Sequence, residues 1–287
     1  MEKVILLRAD LHSHSLASDG SLTPTELVAR AVEKNVEMFA LTDHDTVDGI
    51  EEASDAAQHL PITFIPGIEI SVTWEKRTLH IVGLNINPKS KDLLQGVSQL
   101  AKQREFRSEK ILHKLKKLGF DDVVDHALKD MQLSKLTRTH FARSLVECEK
   151  VDNMGDAFSR YLGHGKKAYV RGEWASLNDA CGWIKSSGGI AVIAHPHSYK
   201  MTRSWTRRML KDFVAAGGEA IEVVCGSSTD DRVRHWSRQA KDFNLSASMG
   251  SDFHSPKNRW VELGRLKKMP YNCTPVWELW DKTAELS

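Results

Sequence analysis

Val4-Ile5-Leu6-Leu7-Arg8-Ala9-Asp10-Leu11-His12-Ser13-His14 runs from an apolar segment straight into an Asp-x-His-x-His cluster. The apolar run reads as a buried strand over residues 4–11. Side chains alternate along a strand, so Asp10, His12 and His14 share a face, and imidazoles at i and i+2 can grip one ion. The same join recurs down the chain. Met38–Thr42 leads into Asp43-His44-Asp45, His80 lies on Leu79–Leu84, and Ile190–Ala194 ends at His195-Pro196. Leu245–Met249 leads into Gly250-Ser251-Asp252-Phe253-His254, and Glu69 interrupts the apolar Ile68-Glu69-Ile70. A polar strand end accounts for any one of these taken alone. Their shared placement at strand C-terminal ends points to a barrel, the fold that carries its chemistry there.

The intervening segments read as helices. Thr23-Pro24-Thr25-Glu26 supplies an N-cap, a proline at the first helical position and a glutamate three residues after the cap. Leu27, Val28, Ala31 and Val32 then repeat at helical spacing. Further helices are expected over Val47–His59, Ser176–Lys185 (with Ser176 and Asp179 as a cap pair), Trp205–Ala216 and Asp230–Phe243. Further strands are expected near Ile62–Ile65, Gly67–Val72 and Ala220–Val224. This alternation argues for parallel strands joined by crossover helices, an α/β fold. From about Lys91 to Arg171 the strand signal fades, and Leu93, Val97, Leu100, Ile111, Leu115 and Leu118 fit a long helix stopped at Gly119. The expected organisation is a barrel in two parts, residues 1–89 and 176–287, with a helical insertion at 90–175.

The 287 residues suit one large domain with an insertion, and the net charge of +2 leaves any attraction to polyanions to local clusters. Cys148, Cys181, Cys225 and Cys273 are widely spaced, as cytosolic thiols are, with no paired CxxC. No apolar stretch approaches the ~20 residues that span a bilayer. A cleaved leader would remove His12 and His14, so the expected location is cytoplasmic, with no membrane contact. No obligate protein partner is evident.

Imidazole and carboxylate in this number exceed what one ion can use. They suit Zn²⁺, Mn²⁺ or Fe²⁺, while the lack of paired thiolates argues against a structural zinc site. A bridging carboxylate such as Glu69 can hold two ions ~3.5–4 Å apart, acidify a bound water and clamp both oxygens of an in-line displacement. Phosphoester hydrolysis is the natural reaction. His59, His113, His126, His164, His197 and His235 lack the strand-end context and read as surface or core.

Together, Asp10-x-His12-x-His14, Thr42-Asp43-His44-Asp45, Glu69, His80, His195-Pro196 and Gly250-Ser251-Asp252-x-His254 resemble the PHP (polymerase and histidinol phosphatase) superfamily. Ser18-Asp19-Gly20 and Arg138-Thr139-His140-Phe141-Ala142-Arg143 resemble its TrpH/YciV-type branch, which holds 3′,5′-nucleoside bisphosphate phosphatases and a 5′-to-3′ exoribonuclease. The resemblance implies a distorted (β/α)7 barrel and three divalent ions, Mn²⁺ first, with Zn²⁺, Fe²⁺ or Mg²⁺ as alternatives. It implies His12, His14, Glu69 and Asp252 around one ion, Glu69, His80 and His195 around a second, and Asp19, His44 and His254 around a third. Asp10 and Asp43 would orient ligands from behind, or Asp43 would contact substrate, and Cys225 would line the site without binding metal. A metal-bound hydroxide is then the expected nucleophile, with no side chain assigned as base.

The insertion is locally basic: between Ser98 and Leu145 there are 11 Lys/Arg against 6 Asp/Glu. Arg104, Arg107, Arg138, Thr139 and His140 are the candidate substrate contacts, since guanidinium groups pair bidentately with phosphate oxygens. Lys200, Arg203, Arg207 and Arg208 form a second cluster that either guides an RNA strand or is plain surface. The expected substrates are nucleoside 3′,5′-bisphosphates, cleaved at the 3′-phosphate, and 5′-monophosphorylated RNA, trimmed 5′-to-3′. Two alternatives stay open: another PHP phosphatase such as histidinol phosphatase, and a non-catalytic PHP module.

Overall fold

The computed structural model describes residues 7–129, 132–226 and 228–284. In chain order the elements are β1 (Ala9–Asp10), α1 (Pro24–Glu33), β2 (Met38–Leu41), α2 (Ile50–Ala57), β3 (Thr63–Trp74), β4 (Arg77–Leu84) and α3 (Lys91–Lys117). Then come α4 (Asp121–Leu128), α5 (Arg138–Glu147), α6 (Met154–Ala157), α7 (Leu177–Ser186) and β5 (Ile190–Ile193). The last are α8 (Arg203–Ala215), β6 (Ala220–Cys225), α9 (Asp230–Asp242), β7 (Ser246–Gly250) and α10 (Trp277–Ala284). Two compact units divide the chain: Met1–Gly96 with Ala175–Ser287, and Val97–Trp174.

The first unit is a seven-stranded sheet in the order β1-β2-β3-β4-β5-β6-β7, curled almost into a barrel. Beyond the last ladder, Leu11 N donates to Met249 O and Asp252 N donates to His12 O, each at 2.9 Å, tying the first strand to the last. This closure needs glycine at 250, because a Cβ there would stand 2.3 Å from His12 Cβ. Of the expected first strand, Val4–Leu6 lie outside the described residues, and of its described part, residues 7–11, Ala9–Asp10 pairs as strand.

The α/β barrel expectation holds, but the all-parallel one does not. β4 runs antiparallel to both β3 and β5. β3 turns back through Glu75 and Lys76, whose φ values of 45° and 65° give the left-handed backbone of a tight hairpin. Neither residue is the glycine or asparagine that advertises such a turn. The two strands expected on either side of Pro66 are one continuous strand. Pro66 lacks a donor, yet its carbonyl still accepts from Ile86 N at 3.1 Å.

Helix starts follow local chemistry. Glu26 N donates to Thr23 Oγ1 (3.1 Å) and Thr23 N to Glu26 Oε2 (2.8 Å), the reciprocal pair that fixes α1. Ser176 and Asp179 do the same for α7. Leu27, Val28, Phe39 and Leu41 form a core with Phe253, which is fully buried. Burying Phe253 presents its neighbours Asp252 and His254 to the opposite side.

The second unit is helical. Ile111, Leu115, Val123, Phe141, Leu145 and Leu162 form its own apolar core. α3 stops at Gly119, whose φ of 78° suits a residue without Cβ.

Candidate metal centre

Loops leaving β1, β2, β5 and β7, together with the side chains of β3 and β4, converge on Glu69. Its Oε1 lies 2.9 Å from His195 Nε2, 3.0 Å from His80 Nδ1 and 3.3 Å from His12 Nε2. Its Oε2 lies 2.8 Å from His44 Nδ1 and 3.3 Å from His14 Nε2. Asp252 Oδ1 is 3.2 Å from His14 Nε2 and 3.5 Å from His12 Nε2. Asp19 Oδ1 is 3.3 Å from His254 Nε2 and 4.0 Å from His14 and His44. All nine sequence candidates thus meet in one place. Their ligand atoms form four overlapping groups: His14-Asp19-His44-His254, His12-Glu69-His195, His12-His14-Asp252 and His44-Glu69-His80.

The donor set fits divalent cations. Imidazole nitrogens and carboxylate oxygens are their common ligands, and the shared atoms of Glu69 can serve more than one ion. His14 Nδ1 is buried and has no hydrogen-bond partner among the described residues, as a nitrogen reserved for a metal would be. Burial and the neighbouring His254 and His44 charges push His14 down to about 3, so it stands neutral and able to ligate at neutral pH. Burial alone would raise Glu69, but the His44, His80 and His12 charges outweigh it and hold its carboxyl well below the usual range. Burial pulls His254 down, while Asp19 and Asp252 more than compensate and lift it to about 10. Such strong, mutually dependent shifts gathered in one place mark a candidate functional site.

Backbone geometry aims the ligands. His195 and Asp252 have φ values of 29° and 58°, left-handed conformations that cost non-glycine residues on the order of 1–3 kcal/mol. Both are held by surrounding bonds. The Asp10 carboxylate accepts from Ser251 N at 2.8 Å and from Gly264 N at 2.9 Å, so it grips the segment carrying Asp252 without touching an imidazole. Burial raises Asp10 to about 6. Asp43 is buried, and its oxygens accept from Ser15 N, Ser15 Oγ and Ser18 Oγ at 2.5–2.8 Å. It therefore shapes the loop that delivers His14 and Asp19. A buried carboxylate engaged this way leaves little for a substrate contact. Gly20 closes the same loop, since a Cβ there would meet His14 O at 2.2 Å.

Three supporting residues carried no assigned role in the sequence, although Asp45 stands in the Asp43-His44-Asp45 run. Glu222 is buried on β6, its Oε1 2.6 Å from His12 Nδ1 and its Oε2 accepting from His195 N and Cys225 Sγ. A carboxylate behind a ligating histidine fixes its tautomer and raises its basicity. The signal was present, a lone glutamate in the apolar Ala220–Cys225, the same cue that marked Glu69. Asp45 accepts from Ser71 N and Oγ at 2.6 and 2.9 Å, fixing β3 beside Glu69. The Tyr199 hydroxyl donates to Ala194 O and accepts from His80 N, both at 2.9 Å. Nothing in its local sequence announced it. Cys225 belongs to none of the four groups among the described residues, and burial followed by the Glu222 charge pushes its thiol up.

The substrate candidates lie in the helical unit. The Arg104 and Arg107 guanidinium groups sit over the Trp174 ring at 5.1 and 5.4 Å, and Arg107 Nε donates to Val170 O. Arg138 lies over Phe158 at 5.8 Å, and burial followed by Arg104 pushes its pKa down. His140 is buried and caps its own helix: His140 Nδ1 accepts from Thr137 N at 3.0 Å, and Thr137 Oγ1 accepts from Thr139 N at 3.1 Å. These bonds assign His140 and Thr139 a structural part in shaping the start of α5.

A family profile described as PHP domain matches residues 10–191, and the chain belongs to that family. It is 48% identical over 273 residues to a 5′-3′ exoribonuclease of Haemophilus influenzae, covering 94% of this chain and 97% of that protein. It is 42% identical over 269 residues to a 3′,5′-nucleoside bisphosphate phosphatase of Chromobacterium violaceum, covering 93% and 94%. A solved amidohydrolase structure from Chromobacterium violaceum, with bound sulfate and no metal, superposes with a TM-score of 0.91 at 42% identity over 96% of each chain.

Proposed function

We propose that this protein is a metal-dependent phosphoesterase that removes the 3′-phosphate of nucleoside 3′,5′-bisphosphates and takes single nucleotides 5′-to-3′ from 5′-monophosphorylated RNA. The observation that carries the reading is the convergence of six imidazoles and two further carboxylates on Glu69. Relatives similar over more than nine-tenths of both chains, a 5′-3′ exoribonuclease and a 3′,5′-nucleoside bisphosphate phosphatase, narrow the substrate class. The two activities share one chemistry, because the first internucleotide linkage of RNA is also a 3′-phosphoester.

His12, His14, Glu69 and Asp252 would hold one ion, Glu69 with His80 and His195 a second, and Asp19, His44 and His254 a third, with Mn²⁺ the preferred metal. Bound divalent ions supply positive charge for an in-line displacement and lower the pKa of water. The chain's own part is positional. Glu222 holds His12 and the His195 backbone, Asp10 holds the Asp252 segment, and Asp43 holds the Ser15–Ser18 loop. Arg104, Arg107 and Arg138 of the helical unit are assigned the 5′-phosphate, so both substrates are expected to require that group. Among the described residues no helix is long and apolar enough to cross a membrane, and a cytoplasmic role in trimming RNA 5′ ends suits the free cysteines.

The test is product release, with Mn²⁺ added, from adenosine 3′,5′-bisphosphate, a 5′-phosphorylated RNA oligomer and the same oligomer with a 5′-hydroxyl. Turnover of the first two and not the third, abolished in Asp252→Ala, is expected. Turnover of histidinol phosphate with none of the nucleotides would replace this reading.

A further inference from the structure

The barrel unit carries a basic cleft apart from the metal centre. It encloses about 510 Å³, and Pro196 and His197, the two residues after His195, form part of its wall. Arg203 and Arg207, one turn apart on α8, line one side, and Arg238 on α9 lines the other. Lys200 completes the set, in a left-handed conformation with φ 45°. Lys200 stands five residues from His195, so their Cα atoms are at most about 18 Å apart.

The charge in this cleft is not neutralised locally. Among the described residues, Arg30, Arg208, Arg234 and Lys267 each pair with a carboxylate. Arg208, expected in the cluster by sequence, is thereby turned to Glu75. Lys200, Arg203, Arg207 and Arg238 are all exposed and line a concavity whose acidic residue is Asp242. Four cations against one carboxylate repel one another, and a polyanion relieves that repulsion. The flexible side chains suit repeating phosphates, which fix a strand's path without reading its sequence.

We propose that this cleft binds the phosphodiester backbone of the single-stranded RNA lying 3′ to the cleaved linkage. The inference rests on the proposed RNA activity and adds a subsite to it. A nucleoside bisphosphate has no strand to occupy the cleft, so the cleft separates the two substrates: it lowers KM for RNA and leaves the bisphosphate untouched.

Arg203→Ala/Arg238→Ala removes one cation from each side. The Kd of a fluorescein-labelled, 5′-phosphorylated single-stranded RNA decamer, read by anisotropy, is expected to rise about 10-fold. The salt slope of log Kd should shrink by about 1.4, at ~0.7 per lost phosphate contact. Values of kcat and KM for adenosine 3′,5′-bisphosphate should match wild type, which also reports an intact fold, and Arg203→Lys/Arg238→Lys should restore the slope. An unchanged decamer Kd and slope overturns the proposal. So does poly-glutamate displacing the decamer as well as unlabelled RNA does, the mark of a protein-docking face. Failure of the proposed function shows separately, as absent wild-type turnover, while anisotropy still reports on the cleft.

Discussion

The barrel unit and the helical unit both gather polar side chains, but they hold them differently. In the barrel, most ligands are carried on or just beyond a strand, and buried carboxylates back several of them: Glu222 behind His12, Asp10 behind the Asp252 segment, Asp43 behind the Ser15–Ser18 loop. In the helical unit, Arg104, Arg107 and Arg138 rest against the rings of Trp174 and Phe158. The first arrangement fixes atoms to tenths of an ångström, as coordination requires. The second offers planar, adaptable donors, as recognition of a phosphate group requires. The proposed function gives chemistry to the first and substrate choice to the second, and mutations should separate the two.

The largest effect is expected from Glu69→Gln, whose carboxylate touches five imidazoles. Turnover of every phosphoester should fall about 10³-fold or more, with metal content by elemental analysis falling beside it. Retained metal and activity would remove Glu69 from the centre. Glu222→Gln keeps the shape but loses the charge behind His12, so metal affinity or activity should drop about 10–100-fold, read by metal titration. An unchanged affinity would reduce Glu222 to a packing role.

Arg104→Ala/Arg138→Ala should sharpen the contrast. Metal content should stay constant, while KM for 5′-phosphorylated substrates rises about 10-fold or more, the loss of a charged hydrogen bond. Equal metal content with unchanged KM would return these arginines to structure. Phe141→Ala cuts only into the helical core and should cost about 3–5 kcal/mol of that unit's stability, measured by denaturant melting, with metal content preserved.

The smallest effect is a pH slope. Asp10 is raised from 3.8 to about 6 by burial, so its neutral form favours the fold. Its stabilising contribution is complete below pH 3.8 and is lost as pH rises through about 6. In metal-free protein, the melting temperature of Asp10→Asn should therefore gain on wild type between pH 4 and pH 7. A constant difference across that range would contradict the assignment.

Much of the centre was legible because ligand chemistry is local. His12 and His14 alternate on one face, Asp252 and His254 repeat that spacing, and Phe253 between them announces which side is core. Helix starts at Thr23 and Ser176 were legible for the same reason, since a capping box is complete within four residues. The hairpin at Glu75-Lys76 was not, because its left-handed backbone is imposed by the pairing of β3 with β4 and by no turn residue. Glu222 carried the same local cue as Glu69, but its role behind His12 was not legible, because that partner lies 210 residues away.

By itself the sequence determined the α/β class, the caps and eight of the candidate ligands through period, spacing and side-chain type, while Asp19 came in only through the resemblance to the PHP superfamily. Only the tertiary structure decided what stands behind those ligands, Glu222 on His12 and Asp10 on Ser251, and formed a cleft whose arginines come from two helices. Contacts of that kind form when distant segments close on one another, and burial then sets their charges, so no local window of residues contains them.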